Sequence, residues 1–126
     1  MRIFKTRWFA RFARQEGLPD DSLLEAVKRA ERGLVDADLG GGLIKQRVAR
    51  QGQGRSGGYR VVIAYRLGHR ALFIYGLAKK DRENFTENEL ESARDIGKIW
   101  IPAPEEQIAL GVQDGQLIEV QNDKED

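Results

Sequence analysis

Residues 43–78 read LIKQRVARQGQGRSGGYRVVIAYRLGHRALFIYGLA, and the fold turns on this stretch. From Leu43 to Ala49, Ile44 and Val48 share one side while Lys45 and Arg47 share the other, the two-residue period of a strand. Residues 51–58 hold four glycines and read as a loop. A second strand runs from Tyr59 to Leu67, with Tyr59, Val61, Ile63, Tyr65 and Leu67 on one face. Gly68-His69 turns the chain, and Ala71–Ala78 forms a third strand rich in Phe, Ile, Tyr and Leu. Strands joined this way predict an antiparallel meander, one face packed and the other free for function.

The period is helical on both sides of this sheet. Met1–Lys5 reads as a short edge strand, and Thr6 is placed to cap a helix over residues 7–15. Trp8, Phe9 and Phe12 form its apolar stripe, Gly17 ends it in a left-handed cap and Pro19 bars continuation. Ser22 with Glu25 reads as a capping box for a second helix that buries Leu23, Val27, Ala30 and Leu34 and leaves Lys28, Arg29, Glu31 and Arg32 in water. The two helices predict a hairpin covering one sheet face through Trp8, Phe9, Phe12, Leu23 and Val27. Residues 36–42 read as a flexible link. Downstream, Thr86 and Glu89 form a capping box and Phe85 can staple onto Leu90, which starts a third helix that Pro102 and Pro104 stop. The fold class is α+β: a small twisted antiparallel sheet against an N-terminal helical hairpin and a C-terminal helix. Residues 1–100 form the domain. Residues 101–126 form an acidic extension, partly disordered, with a short strand at Gln116–Val120 that packs beside the sheet or helix.

The 126 residues suit one domain, and no apolar run is long enough to span a bilayer. The absence of cysteine excludes disulfides, thiolate metal sites and Cys nucleophiles. The composition fits a cytoplasmic protein. His69, the single histidine, sits at a hairpin tip as an exposed turn residue. Net charge is only +1, yet nine Lys or Arg and no Asp or Glu lie between Leu39 and Lys80. Such a local field favours a polyanion such as nucleic acid, against the plainer reading of a solvated face.

Three blocks, Gly41–Ala49, Gly57–Val62 and Phe73–Asn84, carry a resemblance in their order and in their placement on strands and loop. The chain resembles the RelE/HigB superfamily, and within it the phage-associated RelE-like branch of type II toxin–antitoxin toxins, over roughly Ile3 to Trp100. The resemblance implies a RelE-like fold and a cytoplasmic, metal-independent endoribonuclease without cofactor that cuts ribosome-bound mRNA. In that chemistry the 2′-hydroxyl attacks the adjacent phosphate and leaves a cyclic phosphate. A base takes the 2′ proton, cations meet the developing charge, and an acid serves the 5′ oxygen. Crowded cations make a lysine a better base near neutral pH.

Carried over by position, Arg60 of the Gly-Tyr-Arg motif contacts the scissile phosphate. Lys45 or Arg47 handles the 2′ proton, and Lys80 or Arg82 steadies the leaving oxygen. Arg50, Arg55, Lys79 and Phe85 are the further RNA-binding candidates. The resemblance also implies a cognate antitoxin, of helix-turn-helix type, besides mRNA and ribosome as partners. Two departures stand out. The loop between Ala49 and Gly58 is longer than in RelE itself, and Phe85 and Thr86 occupy the region of a base-stacking tyrosine. Phe85 offers a stacking surface, while its staple role explains it without RNA. Two alternatives therefore stay open: a ParE-like toxin with a non-nuclease target such as gyrase, and an inactive nucleic-acid- or protein-binding module.

Overall fold

The computed structural model describes residues 1–50 and 57–120. In chain order these form β1 (Arg2–Thr6), α1 (Arg7–Glu16), α2 (Asp20–Glu31), β2 (Ala37–Gly40), β3 (Leu43–Val48), β4 (Tyr59–Arg66), β5 (Arg70–Ala78), α3 (Glu87–Trp100), α4 (Glu105–Gln113) and β6 (Leu117–Glu119). The strands make one six-stranded sheet in the order β2-β3-β4-β5-β1-β6. Among the described residues no helix is long and apolar enough to cross a membrane.

Local signals are obeyed where the chain is its own partner. The Thr6 hydroxyl accepts the Phe9 N–H, and Gly17 closes α1 at φ 67°. The capping box at Thr86 and Glu89 is present in full, and Phe85 and Leu90 each pack against the core beside it. The β3-β4-β5 meander is antiparallel throughout. Leu67-Gly68-His69 turns between β4 and β5, with His69 exposed and its Nε2 3.0 Å from the Ile101 carbonyl.

Other expectations need correction. The sheet is mixed rather than antiparallel, because β1 runs parallel to β5. Nor is β1 an edge: β6 pairs antiparallel with its other side, burying Ile3 and Phe4. The supposed link holds β2, which pairs with β3 through a Gly41-Gly42 turn. Ser22 does not cap α2, which starts at Asp20 after Pro19. The proline's extended backbone sets the entry, while Asp20 and Asp21 lie where the helix dipole favours acids. Ser22 instead donates its backbone N–H to the Pro19 carbonyl. Beyond Trp100 the weak apolar segment is helix α4, and Leu117–Glu119 supplies strand β6.

Both sheet faces are covered, against the expectation of one free face. On one side Phe9, Leu23, Val27 and Ala30 meet Ile44, Val61, Ile63 and Phe73. On the other, Ala93 and Ile108 from α3 and α4 meet Phe4, Leu43, Val62, Ala64 and Leu72. That explains why Val61 to Ala64 is apolar at every position rather than alternating. Trp8 is not core, being 44% exposed, and Leu34 also faces water. Arg29, expected in water, is buried. Gly76 lets α1 close on the sheet, since a Cβ there would lie 2.4 Å from the Phe12 ring. The α3 side of the sheet is sealed over Val62 and Ala64 but gives way to polar side chains toward the start of β4.

Candidate functional site

At that end of the sheet the register decides which cations meet. Arg47 lies directly opposite Arg60, and Lys45 opposite Val62, so all three cationic side chains share the face that α3 covers lower down. Together with Asp36 and Ala37 they line a hollow of about 260 Å³. Like charges directly opposite across a ladder are destabilising, so this pair needs compensation.

Asp36 supplies it. One of its carboxylate oxygens accepts the Arg47 backbone N–H at 2.6 Å, and the other accepts the Arg47 guanidinium at 3.3 and 3.4 Å. Burial pushes the Asp36 carboxyl up, but the bonds from Arg47 and the charges of Arg47 and Arg29 outweigh it and leave the group below its ordinary value. Behind Asp36 stands a buried polar layer. Arg29 donates to the Arg47 carbonyl and pairs with Glu25 at 2.7 Å. Gln46, with no exposed surface, accepts the Asp36 N–H at 2.8 Å and donates to the Ala26 and Leu34 carbonyls. This layer ties the bend before β2 and the end of α2 to β3, and so holds Arg47 at the hollow. A groove of about 580 Å³ continues from Asp36 and Arg47 along Arg29, Arg32 and Glu25.

Lys45 also borders a second, smaller pocket of about 160 Å³ with Leu39, Asn84, Phe85 and Leu90. Phe85 thus packs against the core and lines the space beside Lys45 at once. The loop bearing it is anchored at the same sheet end, where the Lys79 N–H bonds the Gly58 carbonyl at 3.0 Å. Gly58 must be glycine here, since a Cβ would come 2.2 Å from the Val48 carbonyl oxygen. Lys80 is exposed in this loop, and its ammonium pairs with no described residue. Arg82 is different. Its guanidinium is gripped by Glu89 at 2.6 and 2.8 Å and lies 5.8 Å from the centre of the Phe85 ring. Those bonds from Arg82, helped by the Thr86 N–H against some burial, hold Glu89 down to about 2.

None of the other described cations of the basic run lines the hollow. Arg50 lies just past β3, near Tyr59, and Arg55 lies outside the described residues. Arg66 is exposed at the opposite end of β4. Arg70 is only 3% exposed, and it donates to the carbonyls of Trp100, Ile101 and Ala103 and to Glu105. It is a tether for the end of α3, not a surface charge. Asp36 and Gln46 were missed from sequence. Asp36 lies in the stretch read as a link, and Gln46 is a polar residue on the apolar face of a strand between Ile44 and Val48, a signal that could have found it. Among the described residues no group of three or more His, Asp or Glu side chains is placed to hold a metal ion.

A family model described as the RelE toxin of the RelE/RelB toxin–antitoxin system matches residues 1–120. Comparison with curated proteins and with solved structures returns no match.

Proposed function

Because the chain belongs to the RelE toxin family of RelE/RelB toxin–antitoxin systems, we propose that its toxic activity is metal-independent cleavage of ribosome-bound mRNA at the hollow formed by Lys45, Arg47 and Arg60. The observation that carries this reading is the convergence of these three cations on one sheet face, with Arg47 and Arg60 set opposite each other and Asp36 paired with Arg47. A phosphate bound there meets positive charge from both arginines.

The chemistry follows from what each group can do. The substrate 2′-oxygen attacks phosphorus, the bond to the 5′-oxygen breaks, and a 2′,3′-cyclic phosphate forms. Arginine does not give up its proton, so the base role falls to Lys45, beside the hollow on its Phe85 side. Arg60 and Arg47 neutralise charge on the phosphate as it builds. Asp36 fixes Arg47 for that task. Lys80, exposed on the loop anchored at Gly58, protonates or steadies the leaving 5′-oxygen, while Arg82 is occupied by Glu89 and orders the loop. A RelB-type antitoxin is the partner that family membership implies. Acidic groups laid over the hollow would give it both speed and selectivity.

The test is cleavage on ribosomes carrying a defined mRNA, with 5′ ends mapped and the upstream fragment examined for a cyclic phosphate. Arg60→Ala is expected to lower the cleavage rate by about a hundred- to a thousandfold with an unchanged melting temperature. Full activity in this variant refutes the mechanism. Growth arrest without any cut in mRNA transfers the toxin to the non-nuclease class.

A further inference from the structure

Helix α1 carries a feature that the hollow does not use. Trp8 is 44% exposed, although tryptophan is highly buried on average. One face of its indole stacks on Phe12 at 5.6 Å and 13°, and Tyr75 meets it edge-on at 5.2 Å. The ring is therefore held in one orientation, with surface left open to water. It sits there because β1 leaves the sheet early: its last parallel pair with β5 is Lys5 with Phe73, and the Thr6 hydroxyl donates to the Ile74 carbonyl. Past that point Tyr75 has no strand on its β1 side, and the first turn of α1 fills the gap.

Around Trp8 the helix surface has one sign. Arg7, Arg11 and Arg14 are exposed at spacings of four and three, one stripe of the helix, and the first acid of α1 is Glu16 near its end. Arg7 reaches the Asp114 and Gly115 carbonyls. Among the described residues, the guanidinium groups of Arg11 and Arg14 have no partner. The register also links this face to the hollow. Lys45 lies opposite Val62, Val62 opposite Tyr75, and Tyr75 touches Trp8. Two strand spacings, roughly 10 Å, separate Lys45 from Tyr75.

We propose that Trp8, with Arg11 and Arg14, is a second contact for single-stranded RNA, beside the strand segment held in the hollow. A base stacks on the open indole face, and successive phosphates of the strand meet Arg11, three residues along the helix, and then Arg14 about a turn further on. A stacking platform flanked by cations suits single-stranded nucleic acid because every base offers a π face and every linkage a charge. The one-signed charge of the stripe argues for this occupant over an apolar protein segment. The proposal rests on the hollow as the place where RNA is held.

The test uses a Trp100→Phe background, in which Trp8 is the one remaining tryptophan. The protein is titrated with a non-cleavable 2′-O-methyl oligoribonucleotide of about eight nucleotides, reading tryptophan fluorescence and, for every variant, anisotropy of a labelled strand. Saturable quenching of Trp8 is expected. Trp8→Leu should weaken binding about five- to a hundredfold, whereas Trp8→Phe, which keeps a ring and serves as the folding control, stays within a fewfold of the parent. Arg11→Gln with Arg14→Gln should flatten the salt dependence by about 0.7 per lost charge. The proposal is overturned if RNA binds without quenching, if no binding is detected, or if Trp8→Leu binds as the parent does. Quenching by the antitoxin but not by RNA also overturns it and assigns the face to a protein. Loss of cleavage in Arg60→Ala with no effect of Trp8→Leu removes the platform and leaves the hollow standing. Trp8 quenching in a protein that never cuts mRNA does the reverse.

Discussion

Replacing Glu89 with glutamine separates the structural from the chemical role of the loop that carries Lys80 and Arg82. The side chain keeps its size and an oxygen for the Thr86 N–H, but it loses the charge that grips Arg82. The Glu89 carboxyl falls from an ordinary 4.5 to about 2, chiefly through hydrogen bonds from Arg82, opposed by burial and aided by the Thr86 N–H. Its folded-state value lies below its unfolded one. Its stabilisation is therefore fully present above about pH 4.5 and lost as pH falls through about 2. A drop of that size sets a ceiling of about 3 kcal/mol. Glu89 is 30% and Arg82 41% exposed, so solvent screening leaves about 1–2 kcal/mol. Glu89→Gln should accordingly lower the melting temperature by roughly 4–8 °C at pH 7. The gap to the parent should shrink by more than half on going to about pH 3. A double-mutant cycle with Arg82→Gln, read by urea unfolding at pH 7, should return most of this energy as coupling. An equal loss at all pH values, or no coupling, refutes the argument that the Arg82–Glu89 pair orders the loop.

Gln46→Leu should cost about 2–4 kcal/mol, because the Asp36 N–H and the Leu34 carbonyl lose a buried partner; a loss under about 0.5 kcal/mol in urea unfolding would show that water replaces the amide. Ending the chain at Trp100 removes α4, β6 and three of the four acceptors of Arg70. The shortened protein should bind apolar dye and lose its cooperative melt rather than bind RNA more tightly. An unchanged melting temperature would contradict a structural part for this segment.

The parts legible in the sequence are those whose partners lie within a few residues. Thr6 and Gly17 bound α1, and Thr86 with Glu89 starts α3, because a cap is satisfied by the helix it begins or ends. The β3–β5 meander follows from alternation and turns, and its register alone brings Lys45, Arg47 and Arg60 to one face. Where such signals were weak or competing, the reading failed. Ser22 has the right spacing for a capping box, but Pro19 starts the helix three residues earlier. The four residues of β2 and the nine of helix α4 are too short and too weakly patterned to declare themselves.

Composition, period and capping determined, without any structure, that this chain has helices before and after a sheet and a basic stretch within it. Those properties depend on bonds and faces internal to each segment. The tertiary structure decided where β1 goes, since a parallel pair with β5 joins residues almost seventy positions apart and no local rule encodes it. It also decided which charges are available. Arg29 and Arg70 are buried because carbonyls and carboxylates from distant elements replace their water. Arg82 is neutralised by a helix that starts after it. Lys45, Arg47 and Arg60 meet at a solvent-lined hollow because the apolar cover that α3 and α4 lay on this face over Val62, Ala64 and Leu72 does not extend to their end of the sheet. A side chain's charge is written in the sequence, but whether it meets water, a carboxylate or a phosphate depends on how completely the neighbouring elements cover it.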